Sequence, residues 1–104
     1  MSIMIDDAAC RGCGRCTAVC PGSLISLNKN GKAWIRRPQR CWGCASCAKE
    51  CPVEAIALYL GADIGGAGGR MTVAQEGSQL TWTLRMPDGC EQSIVVNLQD
   101  ANSY

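Results

Sequence analysis

Cys10-Arg-Gly-Cys13-Gly-Arg-Cys16-Thr-Ala-Val-Cys20-Pro21 and Cys41-Trp-Gly-Cys44-Ala-Ser-Cys47-Ala-Lys-Glu-Cys51-Pro52 are one pattern written twice, 31 residues apart. Each reads C-x₂-C-x₂-C-x₃-C-P. The repeat runs on past the cysteines: Ile25 matches Ile56 and Leu27 matches Leu58. Each unit therefore reads as a loop, a short helix, a proline turn and a strand. Neither unit buries its apolar side alone, so the two are expected to pack as a pseudo-twofold pair.

Composition narrows the chemistry. The chain has 104 residues, 9 of them cysteine and none histidine. Histidine-containing zinc sites and His-based acid–base or Ser/His/Asp catalysis are thereby excluded, and any metal is held mainly by thiolates. A chain this short buries a limited core, so cross-links or metal are expected to supplement it. The net charge of +1 makes no case for a nucleic-acid binder. The charge is unevenly spread, with eight basic and three acidic residues in 1–52 and two basic and six acidic in 53–104. Met1–Cys10 has no basic region and no long apolar run, and no apolar stretch approaches a membrane span. The expected location is cytoplasmic, where thiols stay reduced and metal is favoured over disulfides.

The spacing of each repeat belongs to bacterial two-cluster ferredoxins. Three cysteines two residues apart wrap one loop around three irons of a cubane. The fourth, three residues on, is carried away by the helix turn and reaches the other cluster. Cluster I is therefore assigned to Cys10, Cys13, Cys16 and Cys51, and cluster II to Cys41, Cys44, Cys47 and Cys20. Gly12 and Gly43 let the loop backbone approach the cluster, where N–H groups can donate to sulfur. Pro21 and Pro52 turn the chain and stop the helices. Zinc or disulfides are the alternative, but tetrathiolate zinc sites pair two separated CxxC units, and nine cysteines leave one over. Cys90 lies outside both motifs and reads as a plain thiol.

Other residues carry two readings each. Trp42 either covers cluster II against water or stands on the electron path at a docking surface. Trp34 and Trp82 read as core or sheet-face packing. Arg36, Arg37 and Arg40 read as a solvated face, or as charges that offset the clusters or steer an acidic partner.

The fold class is α+β: a two-[4Fe–4S] ferredoxin-like domain with a pseudo-twofold repeat, then a three-stranded antiparallel sheet. Residues 1–60 form the first domain. Ile56–Leu60, the last strand of this domain, can pair with Ile3–Ile5, the short helices lie at Thr17–Val19 and Ala45–Glu50, and Leu24–Leu27 and Ala33–Arg36 form a hairpin across Asn28-Lys-Asn-Gly31. Residues 61–70, rich in glycine, read as a linker. Residues 71–104 hold three strand-like runs, the last two alternating and joined by Pro87-Asp88-Gly89. Three strands with one apolar face need a surface to cover, either the core domain or a partner.

The run from Cys41 to Pro52, then Ile56, Gly65-Gly66, Gly68-Gly69 and Leu80-Thr-Trp82-Thr-Leu84-Arg-Met86-Pro-Asp-Gly89, resembles the β-subunit of adenylylsulfate reductase. The resemblance spans nearly the whole chain. It implies a ferredoxin-like domain before a three-stranded sheet, and two [4Fe–4S] clusters. It further implies a partner α-subunit of the fumarate reductase/succinate dehydrogenase flavoprotein type that carries the FAD, in a heterodimer or larger complex. Trp42 matches the family's tryptophan near the flavin-proximal cluster, which favours the electron-path or docking reading. Two features depart from the dissimilatory enzymes: Cys13-Gly-Arg-Cys16 lacks their insertion, and the sequence ends at Tyr104 without their long tail. A related flavoprotein acting on another substrate is thus an equal expectation.

The leading expectation is an electron-transfer subunit of a flavoprotein oxidoreductase, with no catalytic residues of its own and a soluble electron donor or acceptor. The alternatives are a free soluble ferredoxin and, from another class, a zinc or thiol protein-binding module.

Overall fold

The computed structural model describes residues 2–100. Strand β1 (Ser2–Ile5) pairs antiparallel with β4 (Ile56–Leu60). The register sets Ile3 against Leu58 and Ile5 against Ile56, so four branched side chains share the inner face. Strands β2 (Ile25–Leu27) and β3 (Ala33–Ile35) form the expected hairpin. Asn28 closes it: its side-chain oxygen accepts from the N–H groups of Asn30 and Lys32.

Helices α1 (Arg15–Val19) and α2 (Ser46–Glu50) have five residues each. Helices so short are not stable on their own propensity, so packing must hold them. They end at Cys20 and Cys51, both extended, where the following proline disfavours further helix. Ala48 of α2 is fully buried. Its lack of bulk lets the helix lie close under the sheet.

The chain continues into β5 (Gly69–Glu76), β6 (Gln79–Arg85) and β7 (Glu91–Asn97). These are the three antiparallel strands the sequence leads one to expect, but they do not form a separate sheet. Leu58, Tyr59 and Leu60 of β4 pair with Met71, Arg70 and Gly69 of β5, giving one five-stranded sheet in the order β1-β4-β5-β6-β7. The inner face runs from Ile3 and Leu58 through Val73 to Leu80, Trp82 and Val96, so one core serves the molecule.

Two further expectations need correction. Residues 61–70, read as a linker, fold tightly: Ala62–Ile64 forms a 3-10 turn and Gly69 already belongs to β5. A Cβ on Gly66 would lie 2.3 Å from the Leu60 carbonyl oxygen, so glycine here permits close backbone contact rather than flexibility. Trp34, read as packing, is 44% exposed. In a three-residue strand with Ala33 and Ile35 facing inward, the middle residue must face out. Trp82 is half-buried against the core, as expected, with the Lys49 ammonium 5.7 Å from its ring centre.

Candidate metal centres

Both cysteine loops depend on left-handed backbone. Gly12 and Gly43 sit at φ 71° and 75°, and the residues that start the helices, Gly14 and Ala45, at 76° and 64°. Gly12 has a second requirement. A Cβ there would fall 2.2 Å from the carbonyl oxygen of Gly31, so the first loop presses directly on the β2–β3 turn. That contact brings two donors to Cys10. The Ala33 N–H reaches its Sγ at 3.4 Å, and the Lys32 ammonium donates to its carbonyl oxygen.

The trailing cysteines are treated alike. Cys20 Sγ accepts from the Leu24 N–H at 3.4 Å, and Cys51 Sγ accepts from the Ala55 N–H at 3.3 Å. Leu24 and Ala55 are repeat mates, as are Cys20 and Cys51. Ser23 and Glu54, within these turns, both take φ 54°. The pseudo-twofold symmetry therefore extends to the hydrogen bonds around sulfur.

The cysteines gather in two groups, each drawn from both repeats. Cys10, Cys13, Cys16 and Cys51 line one cavity, closed by Leu27, Ala33, Val53 and Ile56. Cys20, Cys41 and Cys44 line another recess with Pro21, Leu24 and Trp42. The thiols that interact electrostatically with buried Cys47 are Cys41, Cys44 and Cys20. Burial and then these neighbours push the Cys47 thiol up to about 12. Burial pushes Cys16 up too, followed by the charge of Cys13 and then by Cys10 and Cys51. Cys44 is lowered instead, by the backbone N–H and then the hydroxyl of Ser46. Four crowded thiols do not ionise together in an apolar pocket without a compensating cation. Cationic iron resolves that conflict, and the N–H groups aimed at sulfur suit a cluster's thiolates. The residues present thus fit iron–sulfur clusters.

Trp42 is 61% exposed. Its ring lies on Gly22 of the other repeat, where a Cβ would stand 3.4 Å from Cζ3. Cys90 is exposed and far from both groups in sequence, and its N–H caps the hairpin by donating to Asp88 Oδ1 at 2.9 Å. Nothing in the cysteine motif points to Lys32 or Ser46. Lys32 meets Cys10 across 22 residues of sequence, through hairpin packing.

The 4Fe-4S dicluster domain family matches residues 9–55. Among solved structures, the chain is similar to one described as adenosine 5'-phosphosulfate reductase in complex with substrate. The two share 30% identity with a TM-score of 0.77, over 91% of this chain and 68% of that one. The chain belongs to the family of the adenylylsulfate reductase iron–sulfur subunit. It is an iron–sulfur electron-transfer subunit of an oxidoreductase, and the free-ferredoxin alternative is not favoured. No curated protein matches the chain. Among the described residues, no helix is long and apolar enough to cross a membrane.

Proposed function

We propose that the chain holds two [4Fe–4S] clusters and passes electrons through them to or from an FAD-containing partner. Cys10, Cys13, Cys16 and Cys51 hold cluster I; Cys41, Cys44, Cys47 and Cys20 hold cluster II. The observation that carries this reading is the crossing of cysteines between repeats at both sites. Bound clusters supply one-electron redox chemistry, the organic chemistry staying with the partner's cofactor. The chain's own residues hold the iron, exclude water from the inner thiols, and donate N–H groups from Ala33, Leu24 and Ala55 to sulfur.

The partner is a flavoprotein of the fumarate reductase/succinate dehydrogenase type, and its substrate is adenylylsulfate or the substrate of a paralogue. Likeness to adenosine 5'-phosphosulfate reductase supports the first. Trp42, exposed beside Cys41 and Cys44, is the docking or electron-path residue next to cluster II. Residues 71–104 serve as a docking segment, which the exposure of Ile94, Val95 and Leu98 supports. All nine cysteines are unbridged, in keeping with a reducing cytoplasm.

The test is co-expression with a fumarate reductase/succinate dehydrogenase-type flavoprotein from the same organism. The two are expected to co-purify, and dithionite-reduced chain is expected to bleach the partner's flavin. Separate elution with no flavin reduction would refute the reading.

A further inference from the structure

Among the places where the pseudo-twofold symmetry of the two cysteine sites breaks, one puts a half-buried charge beside one site only. Ile35 pairs with Ile25, and Ile5 pairs with Ile56, the repeat mate of Ile25. Three residues before Ile35 stands Lys32; three residues before Ile5 stands Ser2. The symmetry carries one onto the other. Lys32 is half-buried, and its ammonium is held on the carbonyl oxygen of Cys10, the first cysteine of its motif. Ser2 shares a shallow recess with Cys41, the first cysteine of the other motif. Its hydroxyl oxygen is buried and has no hydrogen-bond partner among the described residues. One site therefore has a fixed positive charge where the other has a neutral hydroxyl. Arg11 also borders the first cavity, but it is exposed, so solvent screens it.

We infer that Lys32 is a redox-tuning residue for cluster I. Reduction adds one negative charge to a cluster, and a nearby ammonium stabilises that charge, which raises the potential. At cluster II the equivalent place is taken by Ser2; the charge of Lys49 reaches Cys44 there, but Lys49 is exposed, so solvent screens it as it does Arg11. The inference rests on the proposed ligand assignment of Cys10.

The experiment is an EPR-monitored potentiometric titration of the iron-loaded chain and three variants. Lys32→Gln removes the charge and keeps a polar head. It is expected to weaken reduction of cluster I about tenfold, a drop of about 59 mV for one electron, with cluster II unmoved. Lys32→Arg keeps the charge and is expected to hold cluster I near its native potential. Ser2→Lys installs the missing charge and is expected to raise cluster II. Where Ser2→Lys fails to fold, the two Lys32 variants decide. The inference is overturned if Lys32→Gln, with full iron content, shifts neither cluster or both equally. It is also overturned if Lys32→Arg falls as far as Lys32→Gln. Native chain that never binds iron would instead refute the functional reading beneath it.

Discussion

Residues 2–60 and the strands from Gly69 to Asn97 reach order by opposite means. The first region is built of five-residue helices, strands of three to five residues and loops with φ above 60° at Gly12, Gly14, Gly43 and Ala45. Such pieces bring few backbone hydrogen bonds and considerable conformational cost. The second region is a ladder. β5 and β6 pair over seven successive positions, from Arg70↔Arg85 to Glu76↔Gln79, and β6 and β7 over seven more. The two regions meet where Thr72 of β5, buried, donates to Glu54 Oε1 in the turn after Cys51. Arg85 donates to the same hydroxyl at 3.2 Å and to Glu91 Oε2 at 3.2 Å. The difference predicts that bound iron would organise the first region, while the β5–β6–β7 ladder, joined to it through β4, depends on iron less and steadies the turn of a trailing cysteine.

Iron removal tests that contrast most severely. Anaerobic chelation of the loaded chain is expected to abolish hydrogen-exchange protection around α1, α2 and the β2–β3 hairpin. Protection in β5 and β6 should fall much less. Uniform loss along the chain would break the distinction.

A backbone substitution probes the first region without touching a ligand. Gly12→Ala drives a Cβ into the Gly31 carbonyl oxygen and keeps a left-handed φ. It is expected to cost about 3 kcal/mol or more, seen as lost iron and a lower midpoint in denaturant. Gly31→Ala meets open space and only the backbone penalty, about 1 kcal/mol. Equal effects would show that loop-on-hairpin contact is unimportant.

In the second region the core position Val73, 2% exposed, is the counterpart. Val73→Ala is expected to cost about 2–3 kcal/mol in urea unfolding, with iron stoichiometry retained. The smallest effect is expected at Ile94, 59% exposed. Ile94→Ser should change the isolated chain by less than about 0.5 kcal/mol, yet weaken co-purification with the flavoprotein. A stability loss as large as that of Val73→Ala would mean that this face is already covered.

Much of this was legible in the sequence because the signals were local. Cysteine spacing and the proline after each motif are read residue by residue, and so is the alternation of Leu80, Trp82 and Leu84. The β1–β4 pairing follows from the repeat. The β4–β5 pairing does not, because it depends on how Gly61–Gly68 folds back, and glycine content alone does not separate a tight turn from a loose linker. The exposure of Trp34 is not legible because a three-residue strand has too little alternation to orient its middle residue. Lys32 and Ser2 were invisible for a different reason: their meaning lies in a symmetry relation between strand registers, which only the folded chain displays.

The crossing of ligands between repeats is the central claim, and site-resolved EPR with iron analysis of Cys20→Ser and Cys51→Ser tests it most directly. The account predicts that native chain carries about eight irons. It also predicts that Cys20→Ser loses or alters cluster II alone, and Cys51→Ser cluster I alone. The opposite pairing, with each substitution damaging the cluster of its own repeat, would contradict it, as would a chain that purifies with zinc and no iron.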